Sequence, residues 1–103
     1  MKDKIRRLPD AEQEVMQAKG TVLVDFYADW CGPCKMVSPL VEKLAGVNTD
    51  VTFVKVNVDE EQELAVQFGV MSIPTLMVVK DGKIVNQSMG AKKRLYYFQP
   101  YIF

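Results

Sequence analysis

The stretch TVLVDFYADWCGPCK, residues 21–35, decides the architecture. Thr21 to Ala28 is β-branched and aromatic on both parities, the pattern of a strand covered on both faces. Asp29-Trp30-Cys31-Gly32-Pro33 then punctuates the chain. From Cys34 onward Val37, Leu40, Val41, Leu44 and Ala45 recur at helical spacing, with Gly46 near the end. Pro33 suits a first helical turn, whereas Pro39 sits inside and predicts a kink. A buried strand therefore feeds an amphipathic helix, and the two cysteines stand at the passage between them.

Upstream, Lys4–Arg7 reads as a short strand with Ile5 as its apolar residue. Asp10 and Gln13 form a capping box, Val15 and Ala18 share a face, and Gly20 is a stop, so 10–19 reads as helix. Downstream, Val51–Val58 is a second strand in which Val54, Val56 and Val58 alternate with Lys55 and Asn57. Asp59 with Gln62 caps a helix through Phe68, ended by Gly69. Thr75–Lys80, Asp81-Gly82 and Lys83–Ser88 read as a β-hairpin. A last helix covers Ala91–Gln99 and stops at Pro100. The order β-α-β-α-β-α-β-β-α implies parallel strands joined by right-handed crossovers, with antiparallel strands added by the hairpin. The expected fold class is α/β, one central mixed β-sheet flanked by helices on both faces.

Composition narrows the chemistry. The 103 residues suit a single domain spanning 1–103, because domains usually run to roughly 100–200 residues. Thirteen basic and thirteen acidic residues cancel, so no global field steers nucleic acid or an anionic membrane. No apolar run approaches the roughly 20 residues that span a bilayer. The start, MKDKIRRLPD, is basic without an apolar stretch behind it and does not read as a secretory signal, so the expected compartment is the cytosol. Histidine is absent, which removes the usual imidazole base and every His-ligated metal site.

Covalent chemistry is left to Cys31 and Cys34. At the helix N-terminus Cys31 faces unpaired N–H groups and the positive end of the dipole, which stabilise an anion. An unperturbed thiol near pKa 8.5 is only about 3% thiolate at pH 7, whereas one near 7 is about half ionised. Cys34, one turn further in, is expected to be more buried and to keep its proton longer. An exposed attacking Cys31 and a sheltered resolving Cys34 would reduce a substrate disulfide and close an intramolecular one. Two other readings of the pair stand beside this one. Zinc or an iron–sulfur cluster needs about four ligands and hence a dimer, and the two residues could also be inert core cysteines.

The segment Val24-Asp25-Phe26-Tyr27-Ala28-Asp29-Trp30-Cys31-Gly32-Pro33-Cys34-Lys35 resembles the active-site segment of the thioredoxin family. Phe68-Gly69-Val70-Met71-Ser72-Ile73-Pro74-Thr75-Leu76 is similar to that family's second signature, and Lys80-Asp81-Gly82-Lys83 with Met89-Gly90-Ala91 to its third. The likeness runs in order and spacing through about residues 20–92. It implies the thioredoxin fold and a protein-disulfide reductase that cycles between dithiol and disulfide and contributes to redox homeostasis. It also implies a monomer without bound cofactor, partnered by a thioredoxin reductase and by disulfide-containing substrate proteins. A disulfide oxidase or isomerase is the rival within the same chemistry, and a redox-independent binding subunit the rival outside it.

Asp25 has two readings from the residues alone. It is either a strand-end carboxylate reaching water or a partly buried acid whose pKa is raised by desolvation. In the second case it can take the proton of Cys34, and the resemblance supports that role. The resemblance further implies a cis Ile73–Pro74 peptide packed against the cysteines, with the Ile73 backbone pairing an extended substrate segment. Trp30, Gly32, Ile73 and Gly90 would form a small, flat apolar docking surface, shaped with Pro33. Lys55 is expected on a sheet face, where the resemblance places a lysine near the buried acid; Lys35 reads as a solvated helix residue. The chain departs from the family at its end, where residues 95–103 are rich in aromatic side chains and interrupted by Pro100.

Overall fold

A computed structural model describes residues 5–7, backbone only, and 20–90. Five strands form one sheet: β1 (Ile5–Arg7), β2 (Thr21–Tyr27), β3 (Thr52–Asn57), β4 (Thr75–Lys80) and β5 (Lys83–Met89), in the spatial order β1-β3-β2-β4-β5. Among the described residues two helices lie between them in sequence, α1 (Gly32–Val47) and α2 (Gln62–Gln67). β2 pairs in parallel with β3, as expected for strands joined through a helix, and the sheet is mixed; β4 also follows a helix yet pairs antiparallel with β2, so the antiparallel pairing is not confined to the hairpin. The helices expected at 10–19 and 91–99, and the aromatic tail, lie outside the described residues.

The double-sided apolar pattern of β2 is explained by what covers it. Leu23 packs with Val37, Val41 and Ala45 of α1 on one face. Val22, Val24 and Phe26 pack with Leu64 of α2 on the other. A strand with helices on both faces has no solvent side, which is why its apolar residues do not alternate with polar ones. Phe26 also meets the ring of Phe68 edge-on, with centroids 5.7 Å apart.

The expected hairpin is present. Asp81 and Gly82 take φ of 50° and 83°, the left-handed pair that a two-residue turn between twisted strands requires. The Asp81 carboxylate also accepts from the Gly20 amide at 2.8 Å, tying the hairpin to the start of β2. β5 runs one residue beyond the expected Ser88, because Met89 pairs with Thr75.

α1 is one helix through Pro39 and ends at Val47, with Gly46 near its end as expected, and Asn48 closes it: the Asn48 backbone and side-chain N–H groups both donate to Leu44 O, at 2.8 and 2.9 Å. The start of the next helix differs from expectation. α2 begins at Gln62 instead of at an Asp59 cap. Its N-cap, Glu61, makes no side-chain capping bond; Asn57, at the end of β3, instead orders the turn before the helix, its Oδ1 accepting from Asp59 N at 2.9 Å and its backbone oxygen from Glu61 N at 2.9 Å. Asn57 is buried because it organises this turn, and the Asp59 carboxylate is left for another partner.

Phe26→Ala should lower the unfolding free energy by about 3–5 kcal/mol, since it removes a fully buried ring between β2 and α2. Val66→Ala, on the solvent side of α2, should change it by about 0.5 kcal/mol or less in the same urea titration.

Candidate active site

β2 ends at Tyr27, and the chain turns with the Cys31 amide donating to Ala28 O at 3.2 Å. Cys31 is the N-cap of α1, in extended conformation at φ −87° and ψ 110°. Its Sγ accepts from the Cys34 amide at 3.1 Å, the position a serine or aspartate oxygen takes in an ordinary cap. Pro33 falls in the first turn, where its missing N–H leaves no helical bond unmade. Gly32 is exposed, and a Cβ there would meet nothing within 4 Å. Cys31 and Cys34 are joined as a disulfide with Cα atoms 5.3 Å apart.

The expected contrast between an exposed Cys31 and a sheltered Cys34 does not hold in this state. Both are 3% exposed. The Cys31 side chain packs with Tyr27, Ala28 and Cys34 and against Val58 and Ile73. What distinguishes the two is the opening each one borders. Cys31 lines an apolar groove of about 500 Å³ together with Trp30, Pro33, Val58, Met71 and Ile73. Cys34 lines a polar depression of about 180 Å³ with Tyr27, Lys35, Ser38 and Lys55.

Asp25 is 2% exposed and lies on the sheet face that carries α1, between Leu23 under the helix body and Tyr27 under the cysteines. Burial raises its carboxyl from 3.8 to about 6, opposed by the nearby cation of Lys55. Lys55 sits beside it in register on β3, with Nζ 4.5 Å from the centre of the Tyr27 ring. The buried-acid reading of Asp25 and the placement of Lys55 near it both agree with this geometry.

The Ile73–Pro74 peptide is cis, and Ile73 packs against the cysteine cluster. Pro74 O accepts from the Gly90 amide at 2.8 Å, so Gly90 braces this segment and does not line the groove. Trp30 is 71% exposed at the rim, held by its Nε1 donating to Asp59 Oδ2 at 2.7 Å. The sequence reading missed Asp59 in this role, since it looked like a helix cap. It also missed Val58 and Met71 as groove walls; an apolar residue in a strand end or loop carries no signal of the cavity it borders.

The thioredoxin family model matches residues 7–98. The chain belongs to the thioredoxin family. It is 53% identical over 78 residues to a thioredoxin of Bacillus subtilis, covering 75% of each chain. Over 94 residues it is 43% identical to a thioredoxin of Pseudomonas aeruginosa, covering 88% of this chain and 87% of that one. The oxidised crystal structure of mitochondrial thioredoxin 3 from Saccharomyces cerevisiae superposes with a TM-score of 0.81 at 35% identity, covering 88% of both chains. Thioredoxins are protein-disulfide reductases that interact with disulfide substrates and thioredoxin reductase, and this chain carries the redox-active cysteine pair of that activity at disulfide distance. Among the described residues no helix is long and apolar enough to cross a membrane.

Asp25 makes stability depend on pH in a stated direction. Between 3.8 and about 6 the folded chain holds a proton that the unfolded chain has released, so stability falls as pH rises through that window. The cost is complete above about pH 6 and amounts to about 3 kcal/mol, at about 1.4 kcal/mol per pH unit of the window. Asp25→Asn should therefore be more stable than the parent by about that amount near pH 8, with the difference closing below about pH 4. Urea unfolding at the two pH values measures it.

Proposed function

We propose that Cys31 is the attacking and Cys34 the resolving sulfur of this reductase, with Asp25 as the base for the second step. The Cys31 thiolate attacks one sulfur of a substrate disulfide, forming a mixed disulfide and releasing the other sulfur as a thiolate. Cys34 loses its proton and attacks the Cys31 sulfur, which expels the second substrate thiolate and closes the Cys31–Cys34 disulfide. Two electrons pass to the substrate, and thioredoxin reductase returns them. The observation that carries this reading is the Cys34 amide aimed at Cys31 Sγ at 3.1 Å. The same donor that caps the helix stabilises the thiolate once the disulfide opens, together with the positive helix end.

Asp25 supports the second step because its raised pKa lets it hold or release a proton near neutrality. Lys55 lowers that pKa and so sets where the base switches on. The polar depression beside Cys34 offers water as the carrier between the two groups. Trp30, Gly32, Pro33, Ile73 and Pro74 shape the docking face, the Ile73 backbone pairs the substrate segment, and Gly90 supports Pro74 from behind. The chain acts as one domain over 1–103, a monomeric electron carrier in the cytoplasm needing no bound cofactor.

Reduction of insulin disulfides with dithiothreitol should vanish in Cys31→Ser. Cys34→Ser should instead accumulate the mixed disulfide, seen as a substrate adduct by mass spectrometry. A Cys34→Ser protein that turns over normally would remove the assigned order of attack. Asp25→Asn should slow release from the mixed disulfide by about 10-fold or more near pH 7 while leaving its formation unchanged, measured by stopped flow.

A further inference from the structure

We infer that the groove beside Cys31 selects substrates whose reducible cysteine lies in an extended segment carrying a large apolar side chain and, close by, a lysine or arginine. The inference rests on Cys31 being the attacking sulfur and adds which proteins it attacks. Continuity with that sulfur is the first argument. Cys31 itself borders the groove, so any segment that presents a disulfide to Cys31 must lay its neighbouring residues along it. A volume of about 500 Å³ lies within the roughly 300–1,000 Å³ of ligand-binding clefts and admits a large side chain.

The walls are apolar: Trp30, Val58, Ile73 and Met71, with Met71 90% exposed. An unbranched thioether at the mouth can repack around aromatic or aliphatic side chains of different shape. Apolar surface alone would accept almost any substrate. Charge supplies the choice.

The chain between the lining residues Val58 and Ala65 carries Asp59, Glu60, Glu61 and Glu63. Asp59 is fixed at the rim by its bond to the Trp30 indole. No lysine or arginine occurs anywhere from Val56 to Val79, so the segment that carries these acids holds no cation of its own. On the opposite side of the disulfide the depression at Cys34 is bordered by Lys35 and Lys55, with Asp29 as its acid. A chain of zero net charge thus carries a local field across its active site, negative along the groove. A cationic residue two or three positions from the substrate cysteine meets that rim, and an anionic one is repelled.

Three disulfide-linked peptides test this with dithiothreitol as the reductant. One has Phe after the cysteine and Lys two residues further on, one has Glu in place of Lys, and one has Ser in place of Phe. At low ionic strength kcat/KM should favour Lys over Glu by about fivefold, with the ratio shrinking at high salt. Phe should be favoured over Ser by about 10-fold, the effect of burying one aromatic side chain. The Glu60→Lys, Glu63→Lys double variant, which changes exposed residues only, should lose or invert the Lys preference. Its rate with hydroxyethyl disulfide, a neutral molecule too small to reach the rim, should stay that of the parent. Equal rates for the Lys and Glu peptides, a Lys preference that survives the double variant, or no gain from Phe would each overturn the inference. If the parent reduces hydroxyethyl disulfide yet ignores peptide sequence, the groove assignment alone fails. If the parent cannot reduce hydroxyethyl disulfide at all, the role of Cys31 fails and takes this inference with it.

Discussion

One hydrogen bond organises the chemistry: the amide of Cys34 donating to the sulfur of Cys31. It exists because α1 begins at Gly32 and leaves its first N–H groups without carbonyl partners. In most helices an oxygen fills that need. Here a sulfur does, so the group that completes the helix end is also the group that reacts. Each feature around it keeps the arrangement rigid. β2 is clamped between helices, Pro33 opens the first turn, and the cis Ile73–Pro74 segment closes over the pair.

The second organising feature works against stability. Asp25 occupies the middle of the most buried strand, where an apolar residue would suit the fold better, and its carboxyl is held near neutrality by desolvation. Lys55 offsets part of that cost from the neighbouring strand while its ammonium faces the Tyr27 ring. The two openings beside the disulfide differ in kind: the apolar one borders Cys31 and the polar one borders Cys34.

Much of this was legible in one dimension, and the reasons are local. Residues 21–28 carry apolar side chains on both parities, which only a two-sided strand explains. Asp81-Gly82 names its own turn, because few residue pairs accept two successive positive φ values. Two cysteines and no histidine leave little room for other covalent chemistry. The errors are equally instructive. Asp59 and Gln62 have the spacing of a capping box, but the helix starts only at Gln62, Asn57 orders the turn before it from the end of β3, and the Asp59 carboxylate turns to Trp30 instead. Cys31 looked exposed from its place in a turn, yet its disulfide and Ile73 shield it.

The sequence by itself determined the order of elements, the strand-to-helix junction and the identity of the reacting sulfurs. These follow from periodicity, turn chemistry and helix-end electrostatics, all of which act between residues close along the chain. Only the tertiary structure decided how deeply Asp25 is buried, that Lys55 stands beside it, and that Val58, Ala65, Met71 and Ile73 share one groove with Cys31. Those relations join segments tens of residues apart, brought together by strand pairing. No local pattern encodes a contact whose two partners are chosen by the register of a sheet.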